Sequence, residues 1–399
     1  MHTLDDLRRI VRRIDQSRPA RPAAEPIETL VGGALEDTEH GPIVSVRREY
    51  ALDHRHGATA FDSAFSAAPS LLGVLTRQGA PAGSVRRLLF LDTETTGLAG
   101  GTGTYAFLVG IGFAEGDRFV VQQFFMRDLD EEPALLAALA PRFAHADGLV
   151  TYNGSGFDVP LLETRFILAR RRWPDLWHLD LLAPARRVWG VRFTDCRLTT
   201  LEHGVLGLSR DDDVPGAMIP ALYFDYLRRR HAGALPRVFS HNRLDVLSLV
   251  ALTSWLARAL GSPEECALAP EEYAGLGRLW ERVDPERGLP CYRRALACGL
   301  SGAEADRVRL RLAWWEKRRA RWDAARQLWE VATGAETFDP RPWEELAKFY
   351  EHKRRDFAAA RRVVLRAVER ARHTVAGARA RQDLDRRLAR LERRLAASR

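Results

Sequence analysis

An uninterrupted apolar run of strand length, residues 88–91, leads directly into Asp92. Such a run is typical of a strand buried in the centre of a sheet. Two further segments, 105–113 and 118–125, are rich in Phe, Val, Ile and Tyr, and residues 114–117 between them predict a hairpin turn. The patterns then alternate as helix 131–146, strand 148–152, helix 157–172 and strand 177–181. Three antiparallel strands followed by this alternation predict a mixed α/β sheet of five strands.

The chain has 399 residues, of which 46% are hydrophobic, and this is enough for two or three domains with their own cores. Residues 1–86 are irregular and partly Pro/Ala-rich, so we expect an extended N-terminal arm with some helix. In this arm His54 and His56 suggest either a metal site or a surface turn, and the turn is favoured because structural zinc usually has four ligands. The sheet and its helices occupy residues 87–262, and a Gly-Ser-Pro sequence at 261–263 marks their end.

Helical patterns dominate residues 263–399. Apolar residues around Trp343 are spaced as in tetratricopeptide repeats, and Gly288, Trp322 and Phe357 recur at a period near the ~34 residues of that repeat. Because each helix pair of such a repeat cannot bury its apolar face alone, we expect the pairs to stack. An irregular helical bundle is the alternative.

The formal net charge is +8, which suits a polyanionic partner such as nucleic acid. An Arg-rich composition inherited from a GC-rich genome would give the same charge.

No apolar run approaches the ~20 residues of a membrane helix, and the N-terminus lacks the pattern of a signal peptide, so we expect a cytoplasmic protein without a membrane partner. The four cysteines lack the short spacing of a structural zinc site and are expected to be reduced.

Three short motifs together supply four carboxylates and one histidine. Asp92 and Glu94 lie two residues apart on a predicted strand, so their side chains point to the same side of the sheet, where they would repel each other unless a cation lay between them. Asp158 falls in the first turn of a predicted helix. His241 and Asp245, four residues apart, share one helical face. Each motif alone also fits a solvated turn, a helix-dipole contact or a surface ion pair. Their joint occurrence suits phosphodiester cleavage by two divalent metals, with the histidine deprotonating water.

These motifs, written Asp92-x-Glu94, Asn153-x₃-Phe157-Asp158 and His241-x₃-Asp245, resemble the three exonuclease motifs of the DnaQ-like (DEDD) superfamily, which has a ribonuclease H-like fold. The glycine-rich continuation of the first motif through residue 105, joined to C-terminal tetratricopeptide repeats, resembles the YprB-like family, also called mitomycin repair factor B. The resemblance covers roughly residues 25–375. One departure is the spacing of His241 and Asp245, because three intervening residues are typical of a branch that has tyrosine in place of histidine.

The resemblance implies that Asp92, Glu94, Asp158 and Asp245 hold two Mg²⁺ or Mn²⁺ ions and that His241 is the general base. Nucleoside monophosphates would be released from a 3′ end. The residues expected to contact the substrate are Thr95, Gly97, Leu98, Asn153 and Phe157, although Phe157 also suits a core position under the sheet and Asn153 a turn.

The resemblance therefore implies a metal-dependent 3′→5′ exonuclease that acts on DNA in repair, with a repair helicase bound to the tetratricopeptide repeats. An exoribonuclease is the second enzymatic interpretation, since the same fold and metals serve RNA. A repeat scaffold with a vestigial nuclease domain is the non-catalytic alternative, and the complete set of carboxylates and histidine argues against it.

Overall fold

The computed structural model describes residues 25–97, 103–372 and 374–397. In these ranges the chain forms two compact units. The first contains residues 25–184 and 195–262, and the second contains residues 185–194 and 263–397. The second unit therefore takes a short segment from the middle of the first. The beginning of the predicted arm, residues 1–24, lies outside the described residues.

A mixed sheet forms the centre of the first unit. The strands in chain order are β1 (Ala34–Thr38), β2 (Gly41–Ala51), β3 (Arg55–His56), β4 (Thr59–Ala60), β5 (Leu88–Thr95), β6 (Ala106–Glu115), β7 (Arg118–Phe125), β8 (Gly148–Thr151) and β9 (Trp177–Asp180). Seven of them form one sheet in the order β1-β2-β7-β6-β5-β8-β9, and β3 pairs with β4 separately. β5, β8 and β9 are parallel neighbours, whereas the other pairs in the large sheet are antiparallel.

The prediction of a five-stranded sheet is wrong, because β1 and β2 add two strands at one edge. The expectation of an extended arm is also wrong for residues 34–51, which form these two strands. Strand β2 pairs with β7 in a register that places Tyr50 opposite Phe119. The hydrophobic pattern did not indicate this hairpin, because β1 and the second half of β2 are largely exposed and charged, as edge strands often are.

Helices cover the sheet of the first unit. They are α1 (Ile27–Leu30), α2 (Asp62–Ser66), α3 (Pro69–Leu75), α4 (Glu132–Ala144), α5 (Asp158–Leu168), α6 (Leu182–Trp189, which continues into the second unit), α7 (Leu198–Leu201), α8 (Ile219–Arg229) and α9 (Leu235–Gly261). Helix α9 is long and apolar enough to span a membrane by length and composition, but 78% of its most apolar stretch is buried inside the protein. It is therefore placed as a core helix, packed on β5, β6 and β7.

Two glycines on β6 allow α9 to lie close to the sheet. A Cβ atom on Gly110 would lie 2.2 Å from Oδ1 of Asn242, and one on Gly112 would lie 2.7 Å from Cγ1 of Val246. A side chain at either position would therefore clash with a side chain of α9. Since Gly110 pairs with Asp92 across the β5–β6 ladder, the closest approach of α9 falls beside the first predicted site residue.

The hairpin of β3 and β4 also packs on α9. His56 is 6% exposed, and its Nε2 lies 2.9 Å from the hydroxyl oxygen of Ser248 on α9. The interpretation of this segment as a surface turn is therefore wrong for His56, which is a buried residue with a hydrogen-bond partner.

The second unit is largely helical. Its helices are α10 (Pro270–Trp280), α11 (Pro285–Ala297), α12 (Gly302–Arg318), α13 (Trp322–Ala332), α14 (Pro340–Lys348), α15 (Phe357–Ala371) and α16 (Val375–Ala397). Contacts are extensive between α10 and α11, α12 and α13, α14 and α15, and α15 and α16. Gly288 lies in the first turn of α11, while Trp322 and Phe357 begin α13 and α15. The assignment of these pairs to tetratricopeptide repeats stays a prediction.

Residues 185–194 are built into this helical unit. The fully buried Trp189 donates its indole N–H to Oε1 of Glu272 at 2.9 Å, and Nη1 of Arg192 donates to the same oxygen at 2.6 Å. A Cβ atom on Gly275 would lie 2.5 Å from Cα of Val188, so glycine is required for this approach. The segment is thus part of the core of the second unit.

Candidate active site

One cavity of about 500 Å³ in the first unit gathers the predicted motifs. Its walls come from the end of β5, the turn between β8 and α5, the start of α8 and the middle of α9. The predicted site residues that line it are Asp92, Glu94, Thr95, Gly97, Asn153, Phe157, Asp158, His241 and Asp245. Leu98, the remaining predicted substrate contact, lies outside the described residues.

Asp92 and Glu94 enter the cavity from β5, where the strand changes from buried apolar residues to partly exposed polar ones. Nδ2 of Asn242 on α9 donates to Oδ2 of Asp92 at 2.7 Å. Burial, and then the negative charges of Asp245 and neighbouring acids, raise the pKa of both carboxyls well above the usual range. The two groups are thus crowded by like charge.

Asp158 is the first residue of α5, at the N-terminal end of the helix. The hydroxyl of Thr93 donates to its Oδ1 at 2.5 Å, which joins the helix start to β5. Burial raises the pKa of Asp158 to about 6, against the opposing effect of this hydrogen bond. Its charge is therefore poorly stabilised by the protein alone.

Asp245 contacts a cation that the sequence motifs do not contain. Its Oδ1 accepts a hydrogen bond from Nη2 of Arg210. Arg210 is also held by Glu202 through two bonds, at 2.7 Å from Nε and 2.5 Å from Nη2. Burial raises the pKa of Asp245, although the charges of Arg210 and His241 act in the opposite direction. Arg210 thus neutralises part of the acidic cluster from one side.

His241 lies between two carboxylates. Its Nδ1 is 2.9 and 3.0 Å from the two oxygens of Asp213, and its Nε2 is 3.8 Å from Oδ2 of Asp245. Burial acts to raise the pKa of Asp213, but its hydrogen bond to His241 and the charges of His241 and Arg210 outweigh burial and lower it. The imidazole therefore has an anionic partner at the ring nitrogen that faces away from Asp245.

Sequence reasoning missed Arg210, Asp213, Asn242 and the supporting Glu202. Arg210 and Asp213 belong to an Arg-Asp-Asp-Asp-Val run that has the pattern of a charged loop, and Glu202 belongs to none of the three motifs. Asn242 directly follows His241, but nothing in the spacing indicates that it reaches Asp92. These contacts arise only when distant segments meet, so no local pattern could have revealed them.

The predicted substrate-contact residues have different surroundings. Phe157 is 52% exposed at the start of α5, so the interpretation of this ring as a core residue is wrong. Asn153 has φ 62°, in the left-handed region that asparagine tolerates. The carboxylate of Asp180 accepts its backbone N–H at 2.7 Å and thereby fixes the turn. The hydroxyl of Thr95 donates to the carbonyl of Gly97 at 2.9 Å, and this bond closes the end of β5.

The donor set fits a hard divalent cation. Asp92, Glu94, Asp158 and Asp245 offer carboxylate oxygens, the ligands that Mg²⁺ and Mn²⁺ prefer. Positive charge in the cavity would relieve the repulsion that raises the pKa of Asp92 and Glu94. Within residues 25–97, 103–372 and 374–397, no three His, Cys, Asp or Glu side chains are gathered tightly enough to enclose an ion. A bound ion would therefore have to draw these carboxylates together.

Comparison with known proteins agrees with this geometry. The chain is 33% identical over 324 residues to the uncharacterized protein YprB of Bacillus subtilis (strain 168), with 79% of this chain and 78% of that protein covered. The chain belongs to the YprB family. Residues 89–257 also match the family model described as the RNase H superfamily, and the range contains all four carboxylates and His241. The expected ribonuclease H-like fold with a mixed sheet is thereby confirmed, and this member of the YprB family carries a nuclease-like domain.

Membership of the superfamily indicates a hydrolase that acts on nucleic acid and generally uses divalent metals. The strand polarity, the choice of DNA or RNA, the identity of the metal and the mitomycin-repair assignment all stay predictions.

Proposed function

We propose that the chain is a metal-dependent 3′→5′ exonuclease that acts on DNA in repair. The observation that carries this proposal is the convergence of four carboxylates from β5, α5 and α9 on one cavity beside His241. A site built only for stability would not collect acids that raise one another's pKa. The net charge of +8 supports a polyanionic substrate.

In this proposal Asp92, Glu94, Asp158 and Asp245 hold two Mg²⁺ or Mn²⁺ ions. When bound, such ions neutralise the charge that develops on the phosphate and lower the pKa of water. His241 takes the proton from the attacking water, since an imidazole ring nitrogen within reach of the cavity can accept a proton as a general base. Asn242 holds Asp92 in place through its 2.7 Å hydrogen bond.

The cavity rim would contact the terminal nucleotide. Phe157 exposes its ring beside the cavity, and an aromatic face suits stacking on any base. Asn153, in its left-handed turn, lines the same rim. These contacts tolerate every base, which suits an exonuclease that removes nucleotides in sequence.

The test uses matched single-stranded, duplex, nicked and RNA oligonucleotides, each labelled at the 5′ or the 3′ end. We expect release of nucleoside monophosphates from the 3′ end of DNA in Mg²⁺ or Mn²⁺, and no release in EDTA. Asp92→Asn and Asp245→Asn are expected to reduce the rate by at least ~10³-fold, because each removes several kcal/mol of transition-state stabilisation.

Other outcomes separate the alternatives. Faster digestion of RNA would identify an exoribonuclease, and release from the 5′ end would contradict the proposed polarity. A folded wild-type protein that releases nothing and binds no Mn²⁺ in calorimetry would be the non-catalytic scaffold. The proposed repair helicase and the cytoplasmic location rest on the family resemblance and the sequence alone.

A further inference from the structure

Asp213 lies in the loop before α8 and belongs to none of the three predicted motifs. Its side chain nevertheless contacts the ring of His241. Both carboxylate oxygens lie within 3.0 Å of the ring nitrogen Nδ1. Nη1 of Arg210 also lies 3.4 Å from Nδ1, but this contact is longer than either contact with the carboxylate. The short contacts with an anionic acceptor require a proton on Nδ1.

We propose that Asp213 is a positioning residue that holds the His241 ring with Nδ1 protonated and Nε2 free toward the cavity. This inference deepens the proposed function and rests on it, because a general base must present a lone pair. Nε2 is the nitrogen on the side of Asp245, and Gly216 leaves the space next to it open. Asp213 thus acts through His241 in this role.

The surroundings of Asp213 select a carboxylate over an amide. The backbone N–H of Val214 donates to Oδ1 at 2.8 Å, and Nη1 of Arg210 donates to Oδ2 at 3.1 Å. Each oxygen therefore already faces a donor besides His241. In an Asp213→Asn variant the amide NH₂ group would face an N–H at either position, so the variant would lose one of these bonds and the charge that orients the imidazole.

Arg210 keeps this arrangement fixed. Its guanidinium is held by Glu202, whose side chain is almost fully buried, and Glu202 also accepts a hydrogen bond from Ser248 on α9. The same guanidinium contacts Asp213 and Asp245. The helix that carries His241 and the loop that carries Asp213 are thus joined through one largely buried cation, which limits how far the ring and its partner can separate.

The test reads the tautomer of His241 directly in the metal-free full chain. Histidine labelled with ¹⁵N is observed at about pH 8, above the ordinary imidazole pKa of ~6.5, and the His241 signals are identified by their loss in His241→Gln. We expect a protonated Nδ1 and an unprotonated Nε2 in the wild type. In Asp213→Asn we expect this preference to be lost, with protonated Nε2 appearing.

Kinetics supply the second measurement. We expect Asp213→Asn to lower kcat by about 10²–10⁴-fold, the range for loss of general base catalysis, with little change in KM and an unchanged Mn²⁺ affinity in calorimetry. The matched control is Asp212→Asn, one residue away, because Asp212 is largely exposed and pairs only with Arg237 among the described ion pairs. The control should keep the wild-type tautomer and kcat.

A wild-type His241 with Nε2 protonated, or with both nitrogens protonated, would overturn the inference without any variant. So would a folded Asp213→Asn protein with wild-type kcat, or one that loses Mn²⁺ binding while its tautomer is unchanged. Absence of nuclease activity in the wild type would contradict the proposed function, and the tautomer measurement would still decide whether Asp213 orients His241.

Discussion

Asp92 is held in a position that destabilises its own ionised form. Burial and the charges of Asp245, Glu94 and Asp158 raise its pKa, so the folded chain binds a proton that the unfolded chain releases. This contribution to stability is therefore greatest at low pH and is lost as the pH rises above the ordinary carboxylate range of ~4. At neutral pH the cluster weakens the fold unless a cation is bound.

We predict that Asp92→Asn stabilises the metal-free protein at neutral pH while abolishing activity. The amide keeps an oxygen to accept from Asn242 and removes one repelling charge. The gain should appear as a higher Tm, at about 2–4 °C per kcal/mol for domains of this size, and it should shrink as the pH falls toward ~4. Differential scanning calorimetry over this pH range checks both trends.

Divalent metal provides the control for this prediction. Because an ion that binds only the folded state stabilises it, Mn²⁺ should raise the Tm of the wild type more than that of Asp92→Asn. Equal shifts in the two proteins would mean that the ion binds elsewhere. A lower Tm for the variant without metal would contradict the repulsion inferred at Asp92.

His56 contributes a pH dependence of the opposite sign. Burial, with the positive charges of His54, Arg210 and Arg243, lowers its pKa to about 4. Between this pH and the ordinary value of ~6.5 the unfolded chain binds the proton and the folded chain does not, so stability falls on acidification.

We predict that His56→Gln flattens the decrease of unfolding free energy between pH ~6.5 and pH ~4, by up to about 3 kcal/mol. Chemical denaturation at several pH values measures this slope. His203→Gln, which changes an exposed histidine, is the matched control and should keep the wild-type slope. An unchanged slope in His56→Gln would show that other groups govern acid unfolding.

At the level of elements, the position of α9 on the sheet decides whether the motifs meet. Gly110 and Asn242 are in contact, and Asn242 then reaches Asp92. We predict that Gly110→Ala costs about 1–3 kcal/mol, the usual penalty for overpacking, because its Cβ would lie 2.2 Å from Oδ1 of Asn242. Activity should fall as well, since Asn242 would leave Asp92. Denaturation and the exonuclease assay measure the two effects.

Gly261→Ala is the matched control for this substitution. Gly261 ends the same helix, and its added Cβ would lie 3.4 Å from Leu71, which is ordinary contact. The control should keep stability and activity. If Gly110→Ala behaves in the same way, then close approach of α9 is not what aligns the site.

Local pattern was sufficient for the elements that carry the motifs. The apolar run before Asp92 predicted β5, and the predicted strand 148–152 and helix 157–172 around Asp158 correspond to β8 and α5. The helical face predicted for His241 and Asp245 lies on α9. Local pattern failed at β1 and β2, whose exposed charged residues resemble a loop. It failed equally at Arg210 and Asp213, because a buried cation between three acids depends on packing between distant segments.

For the whole molecule, the main feature is that residues 185–194 belong to the helical unit. We predict that a chain ending at residue 262 is poorly soluble and less stable than the full chain. It would lack Glu272, the acceptor for the buried indole of Trp189, and it would expose that ring to water. Soluble yield, Tm and the tryptophan emission maximum measure the effect.

A full chain cleaved at an engineered protease site after residue 262 is the control. Cleavage interrupts the chain at the point where the truncated chain ends, but it leaves Glu272 in place beside Trp189. The cleaved protein should therefore keep the Tm of the intact chain. If the truncated chain is as soluble and as stable as the cleaved one, the contacts of Trp189 and Glu272 do not maintain the unit.

The same segment affects how such chains can diversify during evolution. A gene fusion that replaced everything after residue 262 would also have to replace the partners of a tryptophan encoded far upstream. Recombination at the apparent boundary would therefore produce defective proteins unless codons 185–194 travelled with the new region. Lineages are expected to inherit the nuclease-like and helical parts together, even where the sequence suggests two exchangeable modules.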